Sequence, residues 1–585
     1  MLQFNNNPLK LGSISNFMKK RQVTKTFEEK SLPFETLLIN TWNKTTTFLN
    51  ALGQGVSLQV VGWILLLAVT VYIGIQASFA QQVVSDQFIS TYIFRDIMNG
   101  APMISTDHTN IIKLIPLWIQ GNFGYSLATY IGLNVAFIFG SLLLWLYLIG
   151  KIFGSKVRTI ATFAFAAVLF ASTSFAINIT MTTLRHIEYP LGLLFIILLS
   201  GLLLNKIKLN LTKILLIAGL LAVLILNDKY FLYTLVPASI IAIVIFSLSQ
   251  SKKRLTFYTL AAVFLGTFIG IILPKLLDRT GLISIVTGYV QMNTIVSFES
   301  LQDALWLTAK KSLDLFGGLI FGQQLRLRNA SIFILFFIPL ISLIGIFVMS
   351  KVYKASKKSA EYFVHIALTA WLIMAYAVYI LSGSTNDGND RYLTLIVFIG
   401  VTYFSWLIWL ISASNGKRYW IMAVVCLLML ISIPLSVPRV HSAYKGAKDF
   451  SFAQSEAAKD TAVALEKNGV KLLAAPFGYY ALKFYSPNDN LTVVGVDDCY
   501  LPNSWTNNSS WIFDKKYDKS AYIYEDQQYA PTQQKFCSES DLIRIFGQPE
   551  SILNTPSIYA LGKDTKIYIY NYDIRSKFDT SNIGL

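Results

Sequence analysis

The chain has 585 residues, 54% of them hydrophobic, with a formal net charge of +17 and a mean hydropathy of +0.52. Soluble proteins run at about 45–50% apolar, so this composition excludes an ordinary soluble protein. The basic excess sits in short connections and an N-terminal arm, with no aromatic-interleaved basic stripe, which excludes a nucleic-acid partner.

Residues 1–57 form the arm (Lys10, Lys19, Lys20, Arg21, Lys25, Lys30), expected in the cytoplasm, with residues 31–52 a candidate amphipathic helix on the inner leaflet. The run Leu58–Ala80 is too long and too far from the terminus for a cleaved leader, so it is expected to stay as the first span. Ten more apolar segments follow: Tyr125–Ile149, Thr159–Ile177, Pro190–Leu204, Ile214–Leu226, Phe231–Leu248, Phe257–Leu273, Ile332–Met349, Tyr362–Leu381, Leu393–Ile411 and Tyr419–Leu435. Alternate connections carry Lys/Arg clusters: Lys151/Lys156/Arg158, Lys206/Lys208/Lys213, Lys252/Lys253/Arg254, Lys351/Lys354/Lys357/Lys358 and Lys417/Arg418. Basic loops stay cytoplasmic. One topology satisfies them all, with the N-terminus inside and the C-terminus outside.

Two outer connections are long. Residues 81–124 hold two amphipathic stretches, around Phe88–Ile97 and Ile111–Ile119, each too short to cross and expected as interfacial helices. Residues 275–329 look similar; Leu276–Val296 is apolar but broken by Asp278, Arg279 and Gly281, and is expected to be re-entrant or interfacial. After Leu435 the composition changes, and residues 436–585 read as a small extracytoplasmic α/β domain. Its expected strands are Lys471–Ala475, Thr492–Val496, Ala521–Glu525 and Lys566–Tyr572, by period-two alternation. Its expected helices are Ala453–Asn468 and Glu539–Phe546, closed by Gly469 and Gly547. Cys499 and Cys537 share this domain, where a bridge could form, while Cys426 lies in a span. The fold class is therefore a polytopic α-helical membrane protein of about eleven spans with a C-terminal α/β domain, expected in the plasma membrane.

On this topology the ionisable residues at outer span ends converge on one face. They are Asp86, Arg95, Asp96, Asp107, His108 and Lys113; Arg185, His186 and Glu188; Asp228 and Lys229; and Asp387, Asp390 and Arg391. Charged groups at membrane depth are costly and usually face a cavity or one another. Asp86, soon after the first span, could accept the proton of an acceptor hydroxyl as general base. Arg185-His186 and Arg391 could grip a lipid-linked phosphate, because guanidinium offers a bidentate fork. Asp107-His108 could orient the acceptor or hold a divalent cation, although one Asp and one His do not make a metal site; no cofactor is otherwise implied. Four N-x-[ST] sequons, at Asn178, Asn329, Asn490 and Asn508, fall on the outer side. Tyr479, Tyr480, Tyr485, Trp505, Trp511 and Tyr517 could stack on sugar rings or serve as core. No P-loop, dinucleotide-binding, zincin or nucleophile-elbow motif occurs.

The arrangement of many spans, a long first outer loop, an acidic residue soon after the first span and an outer C-terminal domain resembles the GT-C class of integral membrane glycosyltransferases. That resemblance implies a polyprenyl-phosphate-sugar donor and a glycan, lipid or protein acceptor outside the membrane. It implies Asp86 as the base, with Asp96 next. No WWD-like motif of oligosaccharyltransferases is present, so protein N-glycosylation is not expected. Two other classes remain open: a flippase or transporter of lipid-linked glycans, and a non-catalytic scaffold with an outer binding domain. A transporter would place charge near the bilayer midplane, whereas these spans carry almost none apart from His365.

Overall fold

A computed structural model describes residues 44–47, 56–80, 103–105, 112, 118–119, 122, 127–180, 187–206, 210–248, 253–280, 283–285, 297–322, 329–354, 359–381, 390–414, 419–486, 491–502, 516–524, 538–558 and 563–580. The membrane part is a helical bundle: α1 (Val56–Phe79), α2 (Leu127–Phe153), α3 (Ser155–Ala171), α4 (Thr173–Thr180), α5 (Glu188–Leu203), α6 (Leu211–Asn227), α7 (Tyr230–Leu248) and α8 (Lys253–Arg279) come first. Then follow α9 (Leu301–Leu315), α10 (Ala330–Lys354), α11 (Ala360–Leu381), a 3-10 turn Asp390–Leu393, α12 (Leu395–Ser414) and α13 (Tyr419–Lys467). Among the described residues, eight helices are long and apolar enough to cross a membrane, nine if α3 and α4 count as one bent span, and α5 and α6 are shorter apolar helices. The protein is thus a polytopic helical membrane protein.

Three expectations need correcting. The third span is not straight: α3 ends at Ala171 and the chain turns by 97° into α4. Ser172 makes the corner, its Oγ accepting from Phe175 N at 3.0 Å and donating to Asp314 O at 2.8 Å. Second, Ala453–Asn468 is no separate helix. It is the end of α13, which runs 49 residues through Pro434 and Pro438 and so reaches about 73 Å at 1.5 Å per residue. Ser432 and Ser436 add side-chain bonds to Met429 O and Ser432 O in the same stretch, the kind of local compensation that lets membrane helices tolerate proline. Third, α8 carries on to Arg279, and within the expected interfacial segment Ile283–Ile285 is a strand (β2), parallel to β1 (Met103–Ser105) from the first long connection.

Packing explains the bundle's close contacts. Phe398 of α12 is ringed by Trp145, Phe165, Phe175 and Tyr189 from α2, α3, α4 and α5, at centroid distances of 5.1, 5.5, 6.2 and 5.6 Å. On α8, a Cβ at Gly266 would lie 2.6 Å from Ala218 O, and one at Gly270 2.8 Å from Ile225 Cβ. These glycines let α6 and α8 approach backbone to backbone, as small residues do in membrane helix pairs. Gly154 alone joins α2 to α3, at φ 99°, a conformation open to glycine and strained for most other residues.

The C-terminal region has its own core. Its sheet consists of β3 (Leu472–Ala475), β4 (Thr492–Asp498), β5 (Leu501–Pro502), β6 (Ser520–Tyr524), β7 (Ser551–Pro556) and β8 (Asp564–Tyr570), in the order β5-β4-β3-β6-β8-β7. β3 pairs in parallel with β4 and β6, and the other pairings are antiparallel. The four expected strands are present to within two residues; β5 and β7 were not anticipated. α14 (Ala481–Tyr485) follows β3, and α15 (Glu539–Phe546) lays Phe546 against Tyr522 and Tyr570. Ala458, Ala462 and Leu465 of α13 enter the same core, so one helix belongs to both halves and passes unbroken through the expected domain boundary at 435/436. Phe79 at the end of α1 stacks on Phe452 of α13, with Lys448 4.8 Å from the Phe79 centroid. Gly469 and Gly547 end their helices at φ 71° and 80°, as expected. Cys499 is disulfide-bonded and Cys426 is a buried free thiol; Cys537 lies outside the described residues.

Candidate functional site

The candidate residues that are described sit at the end of the bundle that bears the C-terminal domain. Glu188 is in the first turn of α5, where the helix's free N–H groups favour negative charge. Its side chain is wholly buried, and Oε1 accepts from Asn227 Nδ2 at 2.7 Å. Asn227, the last residue of α6, accepts in turn from Ile112 N at 3.0 Å, so the first long connection is tied to the ends of α5 and α6. Asp228 follows. Its Oδ1 accepts from Tyr230 N at 2.8 Å and its carbonyl from Phe231 N at 3.1 Å, an Asx turn that starts α7. Lys229, at the tip of that turn, is exposed. Tyr230 OH donates to Tyr392 O at 3.1 Å, joining this corner to the 3-10 turn that carries Asp390 and Arg391. The Arg391 guanidinium lies 5.3 Å from the Tyr392 ring centroid.

A second group surrounds Asp390. Asn178 of α4 lies against its carboxyl, and Lys311 and Asp314 of α9 are within electrostatic reach. Asp314 accepts from Ser174 Oγ, and its carbonyl accepts from Ser172 Oγ and Gly317 N at 2.8 Å each. Arg439 of α13 donates to Ala171 O at 2.8 Å and faces Asp314. Two acids and two bases from α9, α13 and the 3-10 turn thus meet at the α3–α4 corner, a charge-balanced arrangement that suits burial.

Of the sequence candidates, Asp86, Arg95, Asp96, Asp107, His108, Lys113, Arg185, His186 and Asp387 lie outside the described residues. Sequence reasoning missed Asn227, Asp314 and Arg439 as site neighbours. The only signal for Asn227 was a polar amide closing an apolar run, and Asp314 was hidden in an amphipathic helix. Asn178, read as a sequon, is helical and 6% exposed, so it is not presented for glycosylation in the folded chain. Tyr479 and Tyr480 are core residues, and the Tyr480 hydroxyl accepts from Gly495 N at 2.9 Å. Tyr485 and Tyr517 are half-buried, and Trp505 and Trp511 lie outside the described residues. Among the described residues no group of three or more His, Cys, Asp or Glu is placed to hold a metal.

No protein-family model matches the chain, and no curated protein does. Among solved structures it is similar to the oligosaccharyltransferase of Archaeoglobus fulgidus, crystallised in complex with zinc and sulfate. The match has a TM-score of 0.39 at 12% identity and covers 86% of this chain and 73% of the archaeal one.

Proposed function

We propose that the protein is a membrane glycosyltransferase that moves a sugar from a polyprenyl-phosphate-linked donor to a glycan, lipid or protein acceptor at the extracytoplasmic face of the cell membrane. The observation that carries this reading is the lacing of connections at one end of the bundle. The Asn227 bonds to Ile112 and Glu188 and the Tyr230–Tyr392 bond tie together the connections that carry the ionisable residues. At the other end the connections carry the basic clusters, the side that stays cytoplasmic.

The proposed step is a direct displacement. The Asp86 carboxylate takes the proton of the acceptor hydroxyl, and the acceptor oxygen forms a bond to the anomeric carbon. The bond from that carbon to the phosphate oxygen breaks, and its electron pair leaves on the phosphate. Arg185, Arg391 and Lys113 hold the phosphate charge, while Asp107 and His108 orient the acceptor and Asp96 is the alternative base. General-base catalysis contributes about 10²–10⁴-fold. Asp86→Asn, inserted in membranes at the wild-type level, is therefore expected to lose at least about a hundredfold in transfer from a radiolabelled polyprenyl-phosphate sugar. Full activity in that variant would remove Asp86 as the base. Movement of the labelled lipid across the bilayer without transfer would replace the enzyme with a flippase.

A further inference from the structure

We propose that Asn227 and Glu188 form a positioning pair that anchors the first long connection at Ile112, and that neither side chain contacts substrate. Asn227 is 1% exposed and Glu188 0%. The amide has one workable orientation. Its Oδ1 receives the Ile112 N–H at 3.0 Å and its Nδ2 gives a proton to Glu188 Oε1 at 2.7 Å. A flip would set oxygen against carboxylate and N–H against N–H.

Burying a carboxylate is costly unless it is paired; here Asn227 Nδ2 satisfies Glu188 Oε1 and the amino end of α5 favours the charge. What that pairing secures is the main chain at residue 112, whose side chain also packs on the bundle's core. Lys113 is the next residue in the chain, so the pair holds the main chain one residue before it. Neighbouring Asp228 shapes the α6–α7 turn through its bond to Tyr230 N.

The test uses the full-length protein in lipid nanodiscs and follows trypsin cleavage after Lys113 by mass spectrometry. Losing a buried hydrogen bond to a charged group costs about 1.5–3 kcal/mol, which converts to roughly a ten- to hundredfold change in local opening. Asn227→Asp swaps the donor for a second carboxylate, and cleavage after Lys113 is expected to quicken at least about tenfold. Adding Glu188→Gln to that variant restores one donor and one acceptor with the polarity reversed, while Ile112 N still finds an oxygen. Cleavage is then expected to return to within about twofold of wild type. Glu188→Gln alone keeps the acceptor for Asn227 Nδ2 and covers the case in which the single aspartate variant does not fold; wild-type cleavage is expected there too.

Wild-type resistance in Asn227→Asp, failure of the double variant to recover, or tenfold faster cleavage in Glu188→Gln each overturns the proposal. The inference touches the transfer reading only through a second readout: kcat/KM should fall in Asn227→Asp and recover in the double variant. Proteolysis that behaves as expected with no transfer detected would sink the function and leave the anchor standing. Transfer in wild type with unchanged proteolysis in the variants would do the reverse.

Discussion

Two of the bundle's buried polar clusters, one toward each end, are built on different plans. At the domain-bearing end, Asn227 bonds to a backbone N–H of a long connection and to a carboxylate on another helix. At the opposite end, His365 bonds through Nε2 to Ser350 Oγ at 2.8 Å and through Nδ1 to Tyr403 OH at 3.0 Å. The Tyr403 hydroxyl also meets Thr369 Oγ1 at 2.8 Å and His365 O at 3.0 Å. Every member of that second cluster lies on a helix, so it fixes how α10, α11 and α12 pack. The first cluster fixes where a connection sits. Polar groups between helices specify packing, whereas polar groups at span ends can place chemistry.

That contrast can be broken by substitution. The largest effect is expected from Asn227→Leu, which strips the donor from buried Glu188 and the acceptor from Ile112. Thermal unfolding in nanodiscs should show a loss of about 3 kcal/mol, together with at least a tenfold loss of transfer. Gly192→Ala comes next, because its Cβ would lie 2.5 Å from Trp371 Cη2 in a filled core. Overpacking of this kind costs about 1–3 kcal/mol, read by the same melt, with kcat kept in the folded fraction. Tyr403→Phe removes the hydroxyl at the centre of the helix-only cluster; a cost of about 1–2 kcal/mol is expected, with transfer unchanged. A transfer defect in Tyr403→Phe as large as in Asn227→Leu would erase the distinction between the two ends.

The smallest effect is sought outside the bundle. Burial alone would raise the Asp573 carboxyl, but bonds from the Arg575 guanidinium and the backbone N–H of Tyr517 hold it below the ordinary carboxylate range. A carboxyl depressed on folding stabilises at pH above its unfolded value, about 3.9, and that stability drains away as pH falls through the folded value. Acid melts of the C-terminal domain, followed by cross-linking or tryptophan fluorescence, should therefore hold steady above about pH 5 and fall below about pH 4. Asp573→Asn should cost about 1 kcal/mol at neutral pH and flatten that acid limb. A variant with the wild-type acid profile would show that other carboxylates govern it.

The positions of the spans were readable because hydropathy over about twenty residues is a strong signal. The α3–α4 corner was not, because it turns on a single serine in an apolar run whose partner, Asp314, lies 142 residues away. α13 was cut short in the sequence because the composition changes after Leu435; nothing local shows that the chain stays helical into a second core. Strands β3, β4, β6 and β8 were visible as alternating runs. β7 (Ser551–Pro556) was not, since Asn554 and a terminal proline mask an edge strand that draws its order from its partner β8. In the candidate site, charged residues at span ends could be located in sequence. The neutral amide of Asn227 carries no charge signal, and its importance comes wholly from what folding sets beside it.

The β1–β2 pairing also bears on how the protein is made. Met103 pairs with Ile283, so the first strand leaves the ribosome 180 residues before its partner. At about 5–20 residues per second, that interval lasts on the order of 10–40 s. Throughout it, the helices from α2 to α8 are made while β1 still lacks its partner strand. The nascent chain can complete this end only late, and a truncation before Ile283 should leave β1 unpaired.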